Sequence, residues 1–490
     1  MLLYTNRQNF FNDICEIIRL FLPQATIELC EDNPGFSGAD SLYVTLVDRD
    51  EHFVAEASLC FNGISYSYIH TAPYRDESAL LEKRYGKRCI KVAAFRAMRK
   101  AFPETSLPWG SLTGIRPTRL LRELKLTEGE QNANRLMLNE FDVTEEKLRL
   151  ADKIVTVQTE VLGSIRHDEV DVYIGIPFCK TRCLYCSFAS QLRTQKTDMS
   201  AYLSALKRDI LNGVKLVKAN GLHVRALYLG GGTPTILTAD ELSDLIDFAI
   251  TEYDVKPRTE FTVEAGRPDT ITAEKLRVIK KYGATRISVN PQTMCDATLR
   301  AVGREHTSED IRKCFMLARE IGFDSINMDL IAGLPGEDAH GMQCTIDEVI
   351  KLDPDCLTVH TLAIKRSSRL KEQLEHIALP AISEVERMTA IGSAGAEAMG
   401  MLPYYMYRQK YMAGNMENVG YSKADKVCIY NIDMMEDALS IIAHGAGAMT
   451  KRVFLGEQRI ERVPNPKDIA TYIEKLDRVH AERMELFEIR

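Results

Sequence analysis

At 490 residues, 45% of them apolar and 27% charged, the chain has room for two or three domains at roughly 150 residues each. No stretch approaches the ~20 uninterrupted apolar residues of a membrane span, and the opening Met1-Leu-Leu-Tyr-Thr-Asn-Arg-Gln lacks the basic flank and apolar core of a signal peptide. A net charge of −7 without a long basic block argues against nucleic acid, and twelve cysteines without a secretion signal imply reduced thiols, so the expected setting is the cytoplasm.

The first ~165 residues read as an α+β module. Alternating segments, Thr26–Leu29, Ser41–Val47, His52–Leu59 and Ile64–His70, predict strands separated by Gly, Asn and Asp turns. A charged amphipathic stretch from about Glu77 to Ala101 predicts helix. The turn-rich Leu107-Pro-Trp-Gly-Ser-Leu-Thr-Gly-Ile-Arg-Pro-Thr-Arg, with the only tryptophan, predicts a loop entering a helix near Arg119–Leu124 and further helix to about Gly163.

From Asp171 onward six short apolar runs recur: Val172–Pro177, Ala226–Leu229, Glu260–Val263, Arg286–Val289, Ser325–Ile331 and Leu357–Leu362. Helical periodicity fills the intervals. The clearest case is Met199–Ala219, with Tyr202, Leu203, Leu206, Ile210, Leu211, Val214 and Val217 on one stripe and Gly221 as its stop. Such alternation builds a parallel sheet with right-handed crossovers. Six units fall short of a closed eight-stranded barrel. The expected fold is therefore α/β: a partial (β/α)6 TIM-like barrel over 166–375, after the module 1–165 and before a C-terminal region, 376–490, covering the barrel mouth.

Directly after the first strand, Tyr173-Ile-Gly-Ile-Pro-Phe-Cys-Lys-Thr-Arg-Cys-Leu-Tyr-Cys-Ser-Phe spaces Cys179, Cys183 and Cys186 as C-x3-C-x2-C. Three thiolates can take three irons of a cubane cluster and leave the fourth open to a small molecule with amino and carboxylate groups. A zinc site would ask for a fourth ligand, often from a second C-x2-C pair, and there is none; three ordinary buried cysteines are the other reading. The remaining nine cysteines (Cys15, Cys30, Cys60, Cys89, Cys295, Cys314, Cys344, Cys356 and Cys428) stand singly and read as core residues.

Later strand ends also carry polar or flexible groups, and in α/β barrels these ends face one mouth. Gly230-Gly-Gly-Thr-Pro lets a ligand approach the backbone closely. Glu264 offers an acceptor for an ammonium or a ribose hydroxyl, and Gln292 a bidentate partner. Asp329 lies within an apolar run, where a carboxylate needs a partner. Arg304 suits a carboxylate, and the sixth strand leads to Ala363.

The cysteine spacing, with Tyr173 six residues ahead of it and these strand ends in register, resembles the radical S-adenosylmethionine (SAM) superfamily. Within it, roughly residues 165–455 resemble the oxygen-independent coproporphyrinogen III dehydrogenase family and its heme-chaperone relatives, Gly445-Ala-Gly-Ala included. Leu107-Pro-Trp-Gly, Thr113-Gly-Ile-Arg-Pro and Tyr404-Tyr-Met-Tyr-Arg-Gln-Lys through Asn418-Val-Gly-Tyr resemble its Gram-positive-type branch. The resemblance implies a [4Fe–4S] cluster on the three cysteines that reduces SAM and releases a 5′-deoxyadenosyl radical. It places Tyr173 beside cluster and SAM, Tyr185 on the adenine through its backbone, and Gly231, Gly232 and Thr233 at the methionine end. Arg304 would meet the SAM carboxylate, with Glu264, Gln292, Asp329 and Ala363 among the remaining contacts.

The implied reaction turns two propionates of coproporphyrinogen III into vinyl groups, giving protoporphyrinogen IX in heme biosynthesis. Arg408, Lys410, Asn415 and Asn418, in the segment over the mouth, are candidate contacts for the substrate's carboxylates. The implied partner is an electron-donor protein such as flavodoxin or ferredoxin, and the resemblance leans towards a monomer. One position departs. The better-known dehydrogenases carry a fourth cysteine two residues after the third, where this chain has Phe188 and the heme chaperones also have none. Rival expectations are a heme chaperone that keeps cluster and SAM, and a radical enzyme or methyltransferase acting on another substrate.

Overall fold

The computed structural model describes all residues except 32–38, 50, 74–78, 115, 189–190, 195–196, 366, 375, 410–415, 455, 458 and 489–490. The chain divides into two compact units, Met1–Asp152 and Lys153–Arg490. In the first, five strands run in the order Glu28–Leu29, Leu2–Thr5, Ser41–Arg49, His52–Phe61, Ile64–Pro73, the last three as an antiparallel meander. Helices Phe11–Phe21 and Ala79–Ala101 pack on this sheet, burying Ile14, Ile17, Ile18, Leu42, Val44, Phe53, Ala93 and Phe95. Leu2–Thr5 and Phe11–Phe21 are additions to the expected elements. The strand is too short to show alternation, whereas the helix does carry an apolar stripe (Ile14, Ile17, Ile18, Phe21). Thr26–Leu29 shrinks to the exposed edge strand Glu28–Leu29. The helix expected near Arg119 begins earlier, at Pro117, because proline suits the first helical turn.

In the second unit six parallel strands lie side by side in chain order: Glu169–Ile176, His223–Gly231, Glu260–Gly266, Arg286–Val289, Ile326–Ala332 and Cys356–Thr361. Pro177 falls outside the first of them, having no N–H for the ladder. Val172, Leu227, Val263, Ile287, Met328 and Leu357 are buried, and helices including Met199–Ala219, Ala239–Glu252, Ser308–Ile321 and Ala339–Leu352 connect the strands. Capping boxes at Thr238/Glu241 and Thr307/Asp310 and the Asp338 cap start three of those helices. This is the partial (β/α)6 barrel. Leu211, placed on the apolar stripe by periodicity, is exposed. Among the single cysteines Cys15, Cys60, Cys89, Cys356 and Cys428 are buried, but Cys344 is exposed and Cys30, Cys295 and Cys314 only half-buried. Among the described residues no helix is long and apolar enough to cross a membrane.

The six-stranded sheet is not left with open edges. Beyond the sixth strand lie antiparallel Asn418–Ser422 and Leu402–Tyr407; beyond the first lie parallel Ile441–His444, then Met449–Phe454 and Arg459–Pro464. C-terminal residues thus pair both edges. A buried carboxylate anchors the second extension. Asp209, on Met199–Ala219, accepts from His444 Nδ1 (3.0 Å), Gly445 N (3.1 Å), Tyr472 OH (2.7 Å) and Arg483 Nη1. Burial pushes its pKa up, but Arg483 and His444 outweigh that and hold the carboxyl well below the ordinary range. Gly445, at φ +98°, packs on the first strand so closely that a Cβ would lie 2.4 Å from Gly175 O.

Candidate functional site

The first strand ends at Ile176, and the cysteine loop that follows is tied down on several sides. Phe178–Cys179 pairs with Gln191–Leu192, Leu184 N donates to Val302 O (2.9 Å), and Leu370 N donates to Leu184 O (2.9 Å). The glycine run after the second strand meets this loop: Gly232 N donates to Ile176 O (2.8 Å), and buried Thr233 sets its Oγ1 3.5 Å from Cys179 Sγ. Cys179 and Cys183 are buried and Cys186 half-buried. Burial pushes the Cys186 thiol up; a backbone hydrogen bond at Phe188 opposes this, and Cys183 and Cys179 raise it further. Phe188 points into solvent, 68% exposed.

Two buried arginines flank the loop. Arg304 donates from Nη1 to Tyr185 OH (3.2 Å), from Nη2 to Asn290 O (2.6 Å) and from Nε to His306 Nε2 (3.4 Å). Burial, then the neighbouring Arg304 cation, lower the His306 pKa to about 4, which keeps the imidazole neutral and able to accept. Arg267, just beyond the third strand, reaches Thr181 and Cys183.

The next strand ends supply oxygen acceptors. Tyr228 OH donates to Glu264 Oε1 (2.6 Å), and burial lifts the Glu264 pKa to about 7. Tyr173 and Tyr228, paired in register, stack with Tyr430 from the helix Ile429–Glu436. Asp329 accepts from Asn327 Nδ2 (2.8 Å) and lies 3.9 Å from His360 Nε2; burial opposes its charge, yet these partners bring its pKa below the ordinary value. Gln292 adopts φ +69°, a left-handed conformation rare outside glycine, held by Gln292 N to Asp329 O (2.8 Å) and Ile331 N to Gln292 O (2.9 Å). Strain of this kind clusters at functional sites. Ala363 follows the sixth strand, half-buried.

The structure thus joins Cys179 to Thr233, Tyr185 to Arg304, and Gln292 to Asp329. Of the substrate candidates, Lys410 and Asn415 lie outside the described residues. Arg408 is buried; burial lowers its pKa to about 10, opposed by Glu417. Asn418 Oδ1 accepts from Thr361 N (2.7 Å), while its buried Nδ2 has no acceptor among the described residues. Sequence reading overlooked Arg267, His306, Tyr228 and Tyr430. Arg267 and Tyr228 sit beside strand ends already singled out; Tyr430 arrives from a distant helix and left no signal.

Residues 173–349 match the model of the radical SAM superfamily. The chain is 37% identical over 453 residues to the oxygen-independent coproporphyrinogen-III oxidase-like protein HemZ of Bacillus subtilis, covering 91% of this chain and 89% of that protein. It belongs to this family of radical SAM proteins. The heme chaperone HemW of Bacillus subtilis is 33% identical over 237 residues, 47% of this chain and 61% of that protein. Among solved structures, Escherichia coli coproporphyrinogen III oxidase, HemN, described as a radical SAM enzyme, shares the fold (TM-score 0.53, 23% identity, 69% of this chain and 74% of that one).

The family's cofactors are a [4Fe–4S] cluster and SAM. The residues present fit them. Three soft sulfur donors share one loop with no carboxylate between them, and the glycine opposite leaves room: a Cβ on Gly232 would lie 3.0 Å from Cys179 Sγ. Among the described residues no three His, Cys, Asp or Glu side chains converge on one ion.

Proposed function

We propose that this protein catalyses oxygen-independent oxidative decarboxylation of two propionates of coproporphyrinogen III to vinyl groups, giving protoporphyrinogen IX. The observation that carries the reading is kinship with an oxidase-like HemZ across 91% of the chain. When bound, cluster and SAM supply the radical chemistry that abstracts a hydrogen from the propionate β-carbon. In this reading Cys179, Cys183 and Cys186 hold the cluster. Gly231, Gly232 and Thr233 offer backbone and hydroxyl groups to the methionine end of SAM, and Arg304 its guanidinium to the carboxylate. Tyr173, the Tyr185 backbone, Glu264, Gln292, Asp329 and Ala363 complete the contacts. Arg408 and Asn418 Nδ2, which has no acceptor among the described residues, are offered to substrate carboxylates, with the C-terminal region 376–490 excluding water from the mouth. The reaction needs an outside electron donor to reduce SAM, for which a flavodoxin or ferredoxin is proposed, and an outside one-electron acceptor for the electron each propionate loses along with CO2. The protein is proposed to act as a monomer in the cytoplasm.

A second reading, a heme chaperone, is favoured by the 33% identity to HemW and by Phe188 in place of a fourth cysteine. Anaerobically reconstituted protein with SAM, reductant and coproporphyrinogen III is expected to release CO2 and form a divinyl product. SAM cleavage without that product sinks the dehydrogenase reading, and stable stoichiometric heme binding in the same preparation supports the chaperone. Cys183→Ala is expected to abolish the cluster absorbance; a variant with full iron content removes Cys183 from the ligand set.

A further inference from the structure

The guanidinium of Arg267 offers five N–H donors, and its contacts account for all of them. Nε donates to Asp269 Oδ1 (3.1 Å) and Nη2 to Asp269 Oδ2 (3.3 Å). The other N–H of Nη2 reaches Thr181 Oγ1 (2.7 Å), while Nη1 reaches Thr181 O (2.9 Å) and Cys183 Sγ (3.7 Å). The side chain is only 6% exposed, so its charge acts through little solvent. It comes from the end of the third strand, where Gly266 at φ +72° turns the chain, and not from the cysteine loop itself. Asp269 in turn faces Lys180 (3.7 Å) and the neutral His306 (3.9 Å), so one carboxylate offsets both the Arg267 and the Lys180 cations beside the sulfur.

We propose that Arg267 is a positioning residue that sets how readily a cluster held by Cys183 accepts an electron, by placing a charge-assisted hydrogen bond on that ligand's sulfur. The inference rests on the reading of Cys183 as an iron ligand. Hydrogen bonds to ligand sulfurs and net local charge are established levers on iron–sulfur potentials, and donors outside the ligand set tune a metal centre. A positive donor on a thiolate favours the reduced, more negative cluster. Arg267 therefore eases one-electron uptake from a strong reductant such as dithionite.

The test is an anaerobic redox titration of the reconstituted full chain, followed by electron paramagnetic resonance, with iron counted per chain. Arg267→Met, with iron retained, is expected to lower the reduced-to-oxidised ratio at fixed potential about ten-fold, a midpoint about 59 mV more negative for one electron. Arg267→Lys keeps a charge and is expected to recover part of that shift. Asp269→Asn leaves Arg267 in place but removes the offsetting carboxylate, so its midpoint should rise; this variant decides the matter if Arg267→Met fails to assemble a cluster. An unmoved midpoint in iron-replete Arg267→Met, or in Asp269→Asn, overturns the proposal and makes Arg267 a staple of the loop alone. Full iron in Cys183→Ala would instead overturn the underlying ligand assignment.

Discussion

Gly232 shows at a single residue how tightly this mouth is built. An added Cβ would lie 2.6 Å from Phe178 O, 3.0 Å from Ile176 O and 3.0 Å from Cys179 Sγ, all positions fixed by the first strand and its loop. Backbone cannot yield as a flexible side-chain tip can, so Gly232→Ala must push the cysteine loop away. The expected result is at least a two-fold loss of iron per reconstituted chain, with the circular dichroism of the fold unchanged; full iron content would show that the loop relaxes freely. The spacing of the three cysteines was readable directly because local sequence alone sets it. What surrounds each sulfur was not. Thr233, Arg267 and Tyr185 reach the loop from different segments, and only folding decides which of them touch.

Among the elements, the C-terminal strands and helix depend on one buried ion. Asp209 receives donors from Ile441–His444, from the turn after it and from the helix Ile469–Glu488, while Arg483 also donates to Ala443 O and Asn465 Oδ1 (both 2.6 Å). Removing one partner of such a network leaves a buried charge uncompensated, at a cost of about 3–5 kcal/mol. Asp209→Ala is expected to lower the urea midpoint of the barrel unit accordingly, read by tyrosine fluorescence. A loss below about 1 kcal/mol would mean that water or rearrangement replaces the carboxylate. The six barrel strands were legible from their apolar runs, each bounded by turn formers. The edge strands were not: Asn418–Ser422 and Ile441–His444 are short and lie far in sequence from the strands they pair.

Across the whole molecule, the balance of buried carboxyls sets how stability follows pH. Burial raises Glu264 and Glu337 to about 7 from 4.5 and Asp433 to about 6 from 3.8, and Asp171, with both oxygens buried and without a hydrogen-bond donor among the described residues, is raised too. In the window between those values the folded state binds more protons than the unfolded chain, so stability falls as pH rises. Asp209 and Asp329 act oppositely, being lowered: the stability they add is present above their unfolded value of 3.8 and lost as acid protonates them. The protein without cofactors is therefore expected to be most stable at about pH 4, with its Tm declining from there towards neutrality. Glu264→Gln, neutral at every pH, should flatten that decline, and an identical slope would deny Glu264 its raised pKa. The sequence by itself determined the strand–helix rhythm, the three sulfur donors and the superfamily, because each is written in residues close together along the chain. Only the tertiary structure decided that Arg267 sits on Cys183, that Tyr430 stacks into the barrel and that the C-terminal strands pair both sheet edges. Those contacts join segments scores of residues apart, and no local pattern encodes which distant partners will pack together.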